Sequence, residues 1–242
     1  MNIHLVSFGA PFKRFAKAHS RFYENAISFG EFSSINLFSE RNIYKFSKEI
    51  KPYRKFLKST RGYGYWMWKH FLVSEIMNNV PENDLVCYTD IGCTFNSQGL
   101  LKFEHYKTIT SDLGSLCFEL ELPEREWTKM DTYLKVFPDT MEHFNTNQRV
   151  GGIFFLKNTK VNRDIIEEIK EICVEDNHFY INDSPSKEPN HPEFKEHRHD
   201  QSVFSLITKK HKFYCIPDQT YWPQDWEKSG RDYPIWATRD IY

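Results

Sequence analysis

The chain has 242 residues, enough for one large domain or two small ones with a substantial core. Its 32 Lys and Arg balance 33 Asp and Glu, and the net charge of -1 lacks the basic excess of a general nucleic-acid binder. Aromatic residues make up 17% of the chain, which excludes a disordered polymer and suits a packed core or a site that stacks flat rings.

In chain order, Ile3 to Phe8 is a short apolar run closed by Gly9 and Pro11, a first strand rather than a signal peptide. Arg14 to Ile27 forms a helix with Phe15, Ala18 and Phe22 on one side, and Ser34 to Phe38 a second strand. Asn42 to Leu57 breaks into two helical pieces at Pro52. Tyr65 to Met77 has Trp68, Phe71, Leu72 and Ile76 close to helical spacing. Asp84 to Asp90 is an apolar strand with an acidic tip, and Leu113 to Leu120 another strand. Trp127 to Phe137 is helical, and Gly151 to Leu156 is a β-rich run entered by a double glycine. Asn162 to Val174 is the clearest helix, because Ile165, Ile166, Ile169, Ile172 and Cys173 share a face. Asp183 to Phe194 carries three prolines and is a loop, of which Asp183-Ser184-Pro185-Ser186 is the mobile part that would close over substrate as lids do. Asp200 to Thr208 starts a helix with Asp200 near its N-cap, and Lys212 to Ile216 is a late strand. Trp222 to Tyr242 is an aromatic, irregular tail draped over the core. Strands alternating with helices predict an α/β sandwich with a largely parallel sheet in one domain. The five cysteines show no CxxC and read as buried and reduced, without structural zinc or a disulfide framework. No run approaches the ~18 apolar residues of a membrane span.

Three constellations carry chemistry. The first is Leu85-Val86-Cys87-Tyr88-Thr89-Asp90, since a carboxylate at the C-terminal tip of a buried strand lies where an open α/β sheet binds its ligand. It holds ribose or sugar hydroxyls, or one cation; the duller alternative is a turn cap. The usual chelating motif is Asp-x-Asp, and here its second position is Gly92. Arg61 and Lys69 flank the same element as cations for a diphosphate, or as ordinary solvated charges. Gly62 and Gly64 allow close backbone approach or simply a turn, and GxGxxG is absent. The second constellation is Glu196-His197-Arg198-His199-Asp200-Gln201-Ser202, with Asp200 as the base that deprotonates an acceptor hydroxyl and His199 second; its alternatives are cation ligation and a charged helix cap. The third is Asn147-Gln148-Arg149-Val150-Gly151-Gly152, where Gln148 and Arg149 meet sugar hydroxyls and the glycines admit an acceptor, or merely form a bulge. Trp127, Lys129 and Asp131 line the acceptor side or begin a helix, and Trp222, Trp226 and Trp236 are packing anchors before they are stacking platforms.

The combination of RGYGYWMWK from Arg61, DLVCYTDIGCTFN from Asp84, GGIFFLKN from Gly151, EHRHDQSVFSLI from Glu196 and YPIWATR from Tyr233 resembles small bacterial glycosyltransferases of the GT-A fold, associated with capsule and lipopolysaccharide assembly. The resemblance spans nearly the whole chain, and its most specific pieces are GYGYWMWK and HRHDQS. It implies a GT-A-like, Rossmann-like single domain with a mostly parallel central sheet flanked by helices. Residues 1–100 would bind a nucleotide-diphosphate sugar, through Asp90, Gly92, Lys69, Arg61 and Tyr65. Residues 101–242 would hold a saccharide or lipid-linked acceptor, through Gln148, Gly151 and Gly152, with Asp200 or His199 as base. A divalent metal, manganese or magnesium, would sit on Asp90, although Gly92 departs from the family pattern there. Nucleic acid is not a partner; the setting is cytoplasmic, with peripheral association at the inner face of the membrane. Two rivals stand beside this: a metal-dependent hydrolase or nucleotidyltransferase using His197, His199, Asp200 and Asp90, and a non-catalytic carbohydrate-binding protein.

Overall fold

A computed structural model describes residues 1–241; Tyr242, the end of the tail, lies outside the described residues. The chain runs β1 (Ile3–Phe8), α1 (Phe12–Phe29), β2 (Ser34–Phe38), α2 (Ile43–Phe46), α3 (Arg54–Ser59), α4 (Gly62–Tyr65), α5 (Trp68–Asn79), β3 (Leu85–Thr89), β4 (Thr94–Phe95) and α6 (Leu100–Leu113). It continues β5 (Ser115–Pro123), α7 (Glu124–Trp127), α8 (Met130–Val136), β6 (Asn147–Arg149), β7 (Ile153–Lys157), α9 (Lys160–His178), α10 (His199–Lys210), β8 (Cys215–Pro217) and β9 (Ile235–Trp236).

The main sheet has the order β2-β1-β3-β7-β5-β6, with β8 also pairing β5. β1 is parallel to β2 and β3; β7 is antiparallel to β3 and β5; β6 is antiparallel and β8 parallel to β5. Five strands therefore share one direction, and β6 and β7 oppose them. The period-2 alternation of side chains splits each central strand between two cores. Ile3, Leu5, Leu85, Cys87, Ile153 and Phe155 face Ala18, Phe22 and Ala26 of α1 and Phe103 and Tyr106 of α6. Val6, Phe8, Val86, Tyr88, Phe154 and Leu156 face α5, α9 and α10. Both faces are covered, which is why these strands are apolar throughout rather than alternating with polar residues.

β2 and β3 lie on opposite sides of β1, so the strand order reverses between β1 and β3. A crevice opens at such a reversal, outside the carboxyl ends of the parallel strands. Gly9 and Asp90 follow those two ends, and the antiparallel β7 brings Gly151 and Gly152 to the same edge. β7 belongs to the second half of the sequence and pairs β3 of the first, so the two halves share one sheet.

Some elements shift from their sequence-based bounds. The helix expected from Tyr65 begins at Trp68, because Tyr63, Tyr65 and Trp66 have left-handed backbones at φ 55°, 49° and 62°. The helix expected over Trp127 to Phe137 is two, broken where Lys129 turns extended at φ -54°, ψ 140°. Lys129 then donates from Nζ to the carbonyls of Phe179 and Asn182, while Asp131 accepts from the Lys187 N–H. The proline-rich loop expected to act as a lid is thereby tied down on both sides. Among the described residues no helix is long and apolar enough to cross a membrane, and all five cysteines are free.

Candidate active site

β3 ends as Asp90 turns away from the sheet. Its N–H donates to the Gly152 carbonyl at 2.8 Å, and its own carbonyl accepts from the Cys93 N–H at 2.9 Å. The side chain does not cap that turn: Oδ1 accepts from the Tyr88 hydroxyl at 2.6 Å. Oδ2 rests on Gly152, where a Cβ would fall 2.6 Å away, so only glycine leaves room for the carboxylate. Asp90 is half-buried and, among the described residues, has no ion-pair partner. Burial raises its pKa, against the opposing pull of the Lys69 cation.

Lys69 and Asp200, read separately from the sequence as a phosphate cation and an acceptor base, are partners of one another. Nζ donates to Oδ2 at 2.7 Å, and each residue is 3% exposed. His70 Nε2 stands 3.5 Å from the same oxygen. Burial raises the Asp200 pKa, but Lys69 and His70 outweigh it, and the net shift is downward. Asp200 is thus a carboxylate fixed by an internal cation, as buried charges generally are. It sits in the first turn of α10, where Arg198, with no side-chain bond, is the N-cap.

His199 stands differently. Its backbone is left-handed at φ 53°, and its ring packs on Tyr65 and Trp66 with centroids 4.8 and 5.4 Å apart. Nδ1 donates to the Ile181 carbonyl at 2.8 Å; Nε2 is buried with no hydrogen-bond partner, 3.7 Å from Asp183 Oδ1. Burial lowers its pKa, against Ile181, Asp183 and Asp200, so the neutral ring keeps an unpaired lone pair at the buried Nε2. Left-handed non-glycine residues recur around this edge: Tyr63, Tyr65, Trp66, His199 and Arg239. Each costs on the order of 1–3 kcal/mol, and such strain concentrates at functional sites.

The expected acceptor residues are engaged internally. Gln148 is fully buried; its amide N–H groups reach Thr128 Oγ1 at 2.9 Å and Ser202 Oγ at 3.1 Å, and its Oε1 accepts from Gln201 at 2.8 Å. Gly151 is approached by Gln201, whose Cβ would lie 3.0 Å from an added Cβ, and Gly152 by Asp90. The glycines admit α10 and the carboxylate. At Gly92 an added Cβ would lie 3.1 Å from Arg239 Cα, because the tail crosses there. The tail is pinned by Asp240 N–H to the Gly92 carbonyl and by Arg21, which donates to the Ile91, Cys93 and Asp240 carbonyls.

These residues do not fit a protein-held divalent metal. The second Asp-x-Asp position has no side chain and is roofed by backbone. Asp200 is committed to Lys69, and His197 uses Nδ1 to accept the Lys129 N–H and Nε2 to donate to the Tyr180 carbonyl. Among the described residues no three His, Cys, Asp or Glu side chains converge as a metal would need.

Two arginines escaped the sequence reading. Arg198 is half-buried, stacks on Trp127 at 4.4 Å, and has a buried Nε without a partner, as does the Trp127 indole. Arg239 is exposed and stacks on Tyr221 at 4.9 Å, as Arg61 does on Trp66 at 5.8 Å. Burial lowers the Arg198 pKa; Glu196 opposes, and Arg239 and Arg61 lower it further. Their only sequence signal is a basic residue within the HRHDQS and YPIWATR segments. The tail tryptophans pack, Trp222 on Tyr233 and Trp226 on Trp236. Two open recesses of about 260 and 360 Å³ lie elsewhere, one beside Leu85 and α6 and one around Arg149 and Lys209; Asp90 lines neither of them.

No protein-family model matches the chain, and no curated protein matches it in sequence. Solved structures do. A glycosyltransferase involved in the glycosylation of the major capsid of PBCV-1 superposes with a TM-score of 0.52 at 12% identity, over 97% of this chain and 91% of that one. Mouse xyloside xylosyltransferase 1 superposes at 0.46 and 12% identity, over 98% and 96%, and the galactosyltransferase LgtC, solved with donor and acceptor sugar analogs, at 0.45 and 9%, over 97% and 86%. The viral enzyme's likeness is one of fold: a mixed α/β domain of GT-A type, its mostly parallel central sheet flanked by helices.

Proposed function

We propose that this protein is a glycosyltransferase that moves a sugar from a nucleotide-diphosphate donor to a saccharide or lipid-linked acceptor, in surface polysaccharide assembly at the cytoplasmic face of the membrane. Residues 1–100 bind the donor, and residues 101–242 the acceptor. The observation that carries this is Asp90: an ionisable, half-exposed carboxylate without a counter-ion, at the strand-order reversal, on a glycine that makes room for it. A carboxylate held this way is free to accept hydroxyl hydrogen bonds from ribose or sugar.

The two base candidates separate on chemistry. Asp200 holds Lys69 and through it the floor of the site; it is a positioning residue. His199 is neutral, oriented by the Ile181 carbonyl, and without a hydrogen-bond partner at Nε2, which suits it to take the acceptor's proton. Tyr65 packs on its ring and Arg61 lies near it, while Gly151 seats α10 and Gly152 seats Asp90 at the same sheet edge. The carbohydrate-binding alternative loses its support, since the tryptophans that suggested it are packed together.

The test is transfer from a panel of nucleotide sugars to acceptor saccharides, with Asp90→Asn alongside. The variant is expected to lose transfer by at least ~100-fold and to melt slightly higher without ligand, because it removes a carboxylate whose ionised form is disfavoured by burial. Wild-type turnover in Asp90→Asn would end the assignment.

A further inference from the structure

Gly92 removes one half of the usual metal-chelating pair, and the tail fills the space a second carboxylate would need. A diphosphate carries charge that something must neutralise. Three guanidinium groups stand at this edge. Arg239 belongs to the segment that crosses Gly92, two residues from Asp90. Arg198 immediately precedes His199 and Asp200. Arg61 lies on Trp66, and the other side of that contact is His199.

Each guanidinium lies over an aromatic ring, and none of the three has a carboxylate within ion-pair distance among the described residues. A cation–π contact takes up the face of a guanidinium and leaves its N–H groups to bind two oxygens at once. Arg61 and Arg239 repel Arg198, which Glu196 opposes without forming an ion pair, and a bound anion would relieve that repulsion. The buried Arg198 Nε and Trp127 Nε1 donors without acceptors are the independent sign that an acceptor belongs here.

We propose that Arg61, Arg198 and Arg239 bind the diphosphate of the donor directly, in place of a protein-held divalent metal. The inference rests on the donor reading above and extends it: Arg198 and Arg239 reach the donor from the half otherwise given to the acceptor. The carboxylate of Asp90 then takes hydroxyls only.

The experiment is calorimetric titration of the full chain with UDP, GDP, CDP and dTDP, first in EDTA and then in excess MnCl2. One of the four is expected to bind in EDTA, with an affinity that manganese changes less than threefold. The corresponding nucleoside should bind at least tenfold more weakly. Arg61→Gln and Arg239→Gln, both at exposed positions, should each weaken the diphosphate at least fivefold with unchanged melting temperature. Arg198→Gln should do the same, and Arg198→Lys should recover only part of the loss, because an ammonium lacks the bidentate fork. Binding only with manganese would overturn the arginine assignment and leave the glycosyltransferase reading standing, as would arginine variants that bind like the wild type. If none of the four diphosphates binds under either condition, the donor reading falls and this inference falls with it.

Discussion

At the scale of single residues, the ion pair of Lys69 and Asp200 decides how Asp200 is to be understood. Removing either partner strands a buried charge, a loss of about 3–5 kcal/mol, while replacing both with apolar side chains of similar size is often near neutral. Lys69→Met and Asp200→Asn are therefore expected to destabilise the fold strongly, and Lys69→Met/Asp200→Leu to recover most of that loss in urea unfolding. A stable Asp200→Asn that loses turnover alone would return the role of base to Asp200. This pairing was illegible in the sequence because the partners are 131 positions apart, and the helical pattern of Trp68 to Met77 gives no sign that Lys69 points inward. Asp90 was legible, since a lone carboxylate after a strand of four apolar residues and a threonine has one natural place in such a sheet. Gly152 was legible only as an unusual glycine; what it accommodates came from β3, across the ladder.

At the scale of elements, the tail acts as a strap over the loop after β3. β9 pairs β4 in a two-residue antiparallel ladder, with Thr94 opposite Trp236. Arg21 of α1 ties loop and tail together through three backbone carbonyls, and Thr238 Oγ1 donates to the Gly92 carbonyl. Gly92→Asp rebuilds the acidic pair on paper, but its Cβ meets Arg239 backbone at 3.1 and 3.3 Å, where nothing flexible can yield. The variant is expected to lose about 1–3 kcal/mol, to become more sensitive to proteolysis within the tail, and to gain no activation by manganese. A variant as stable as the wild type and stimulated by manganese would show that the strap gives way readily. β1 and β2 were read residue for residue because short apolar runs there are bounded by glycine, proline and serine. α6 escaped notice because its inward side mixes Phe103, Tyr106 and Thr110 while Leu101 and Leu113 are exposed, which blurs the period. β4, β6 and β9, two or three residues each, are set by their partners and leave no local pattern.

At the scale of the whole molecule, the aromatic richness that suited a packed core or a ring-stacking site also encloses histidines. His70, His178, His197 and His199 are all buried, and burial lowers the pKa of each below the ordinary 6.5. In the unfolded chain they take up protons as the pH drops through 6.5, and in the folded chain they resist. The unfolded state therefore binds more protons below that point, and stability, complete above it, falls as the medium becomes acidic. Each histidine that stays neutral contributes about 1.4 kcal/mol per pH unit to the decline. The carboxylates with lowered values, Asp84 and Asp200 among them, add their loss only further down, beneath their ordinary range near 3.8. Asp90 and Asp218 are shifted upward and act in the opposite sense, gaining by protonation. Between pH 6.5 and 4.5 the histidines thus control the balance. Melting temperature is expected to be flat from pH 8 to 7 and to drop steeply from 6.5 to 5, with His197→Gln, whose ring lies between a backbone donor and a backbone acceptor, reducing the slope at some cost in stability. The acid limb of transfer activity should lie below 6.5 as well, since His199 must be neutral to accept a proton, and it should vanish in whatever activity His199→Gln retains. A melting temperature that holds constant down to pH 5 would mean the buried rings charge freely in place, and the neutral, unpaired Nε2 on which His199's role depends would be lost with it.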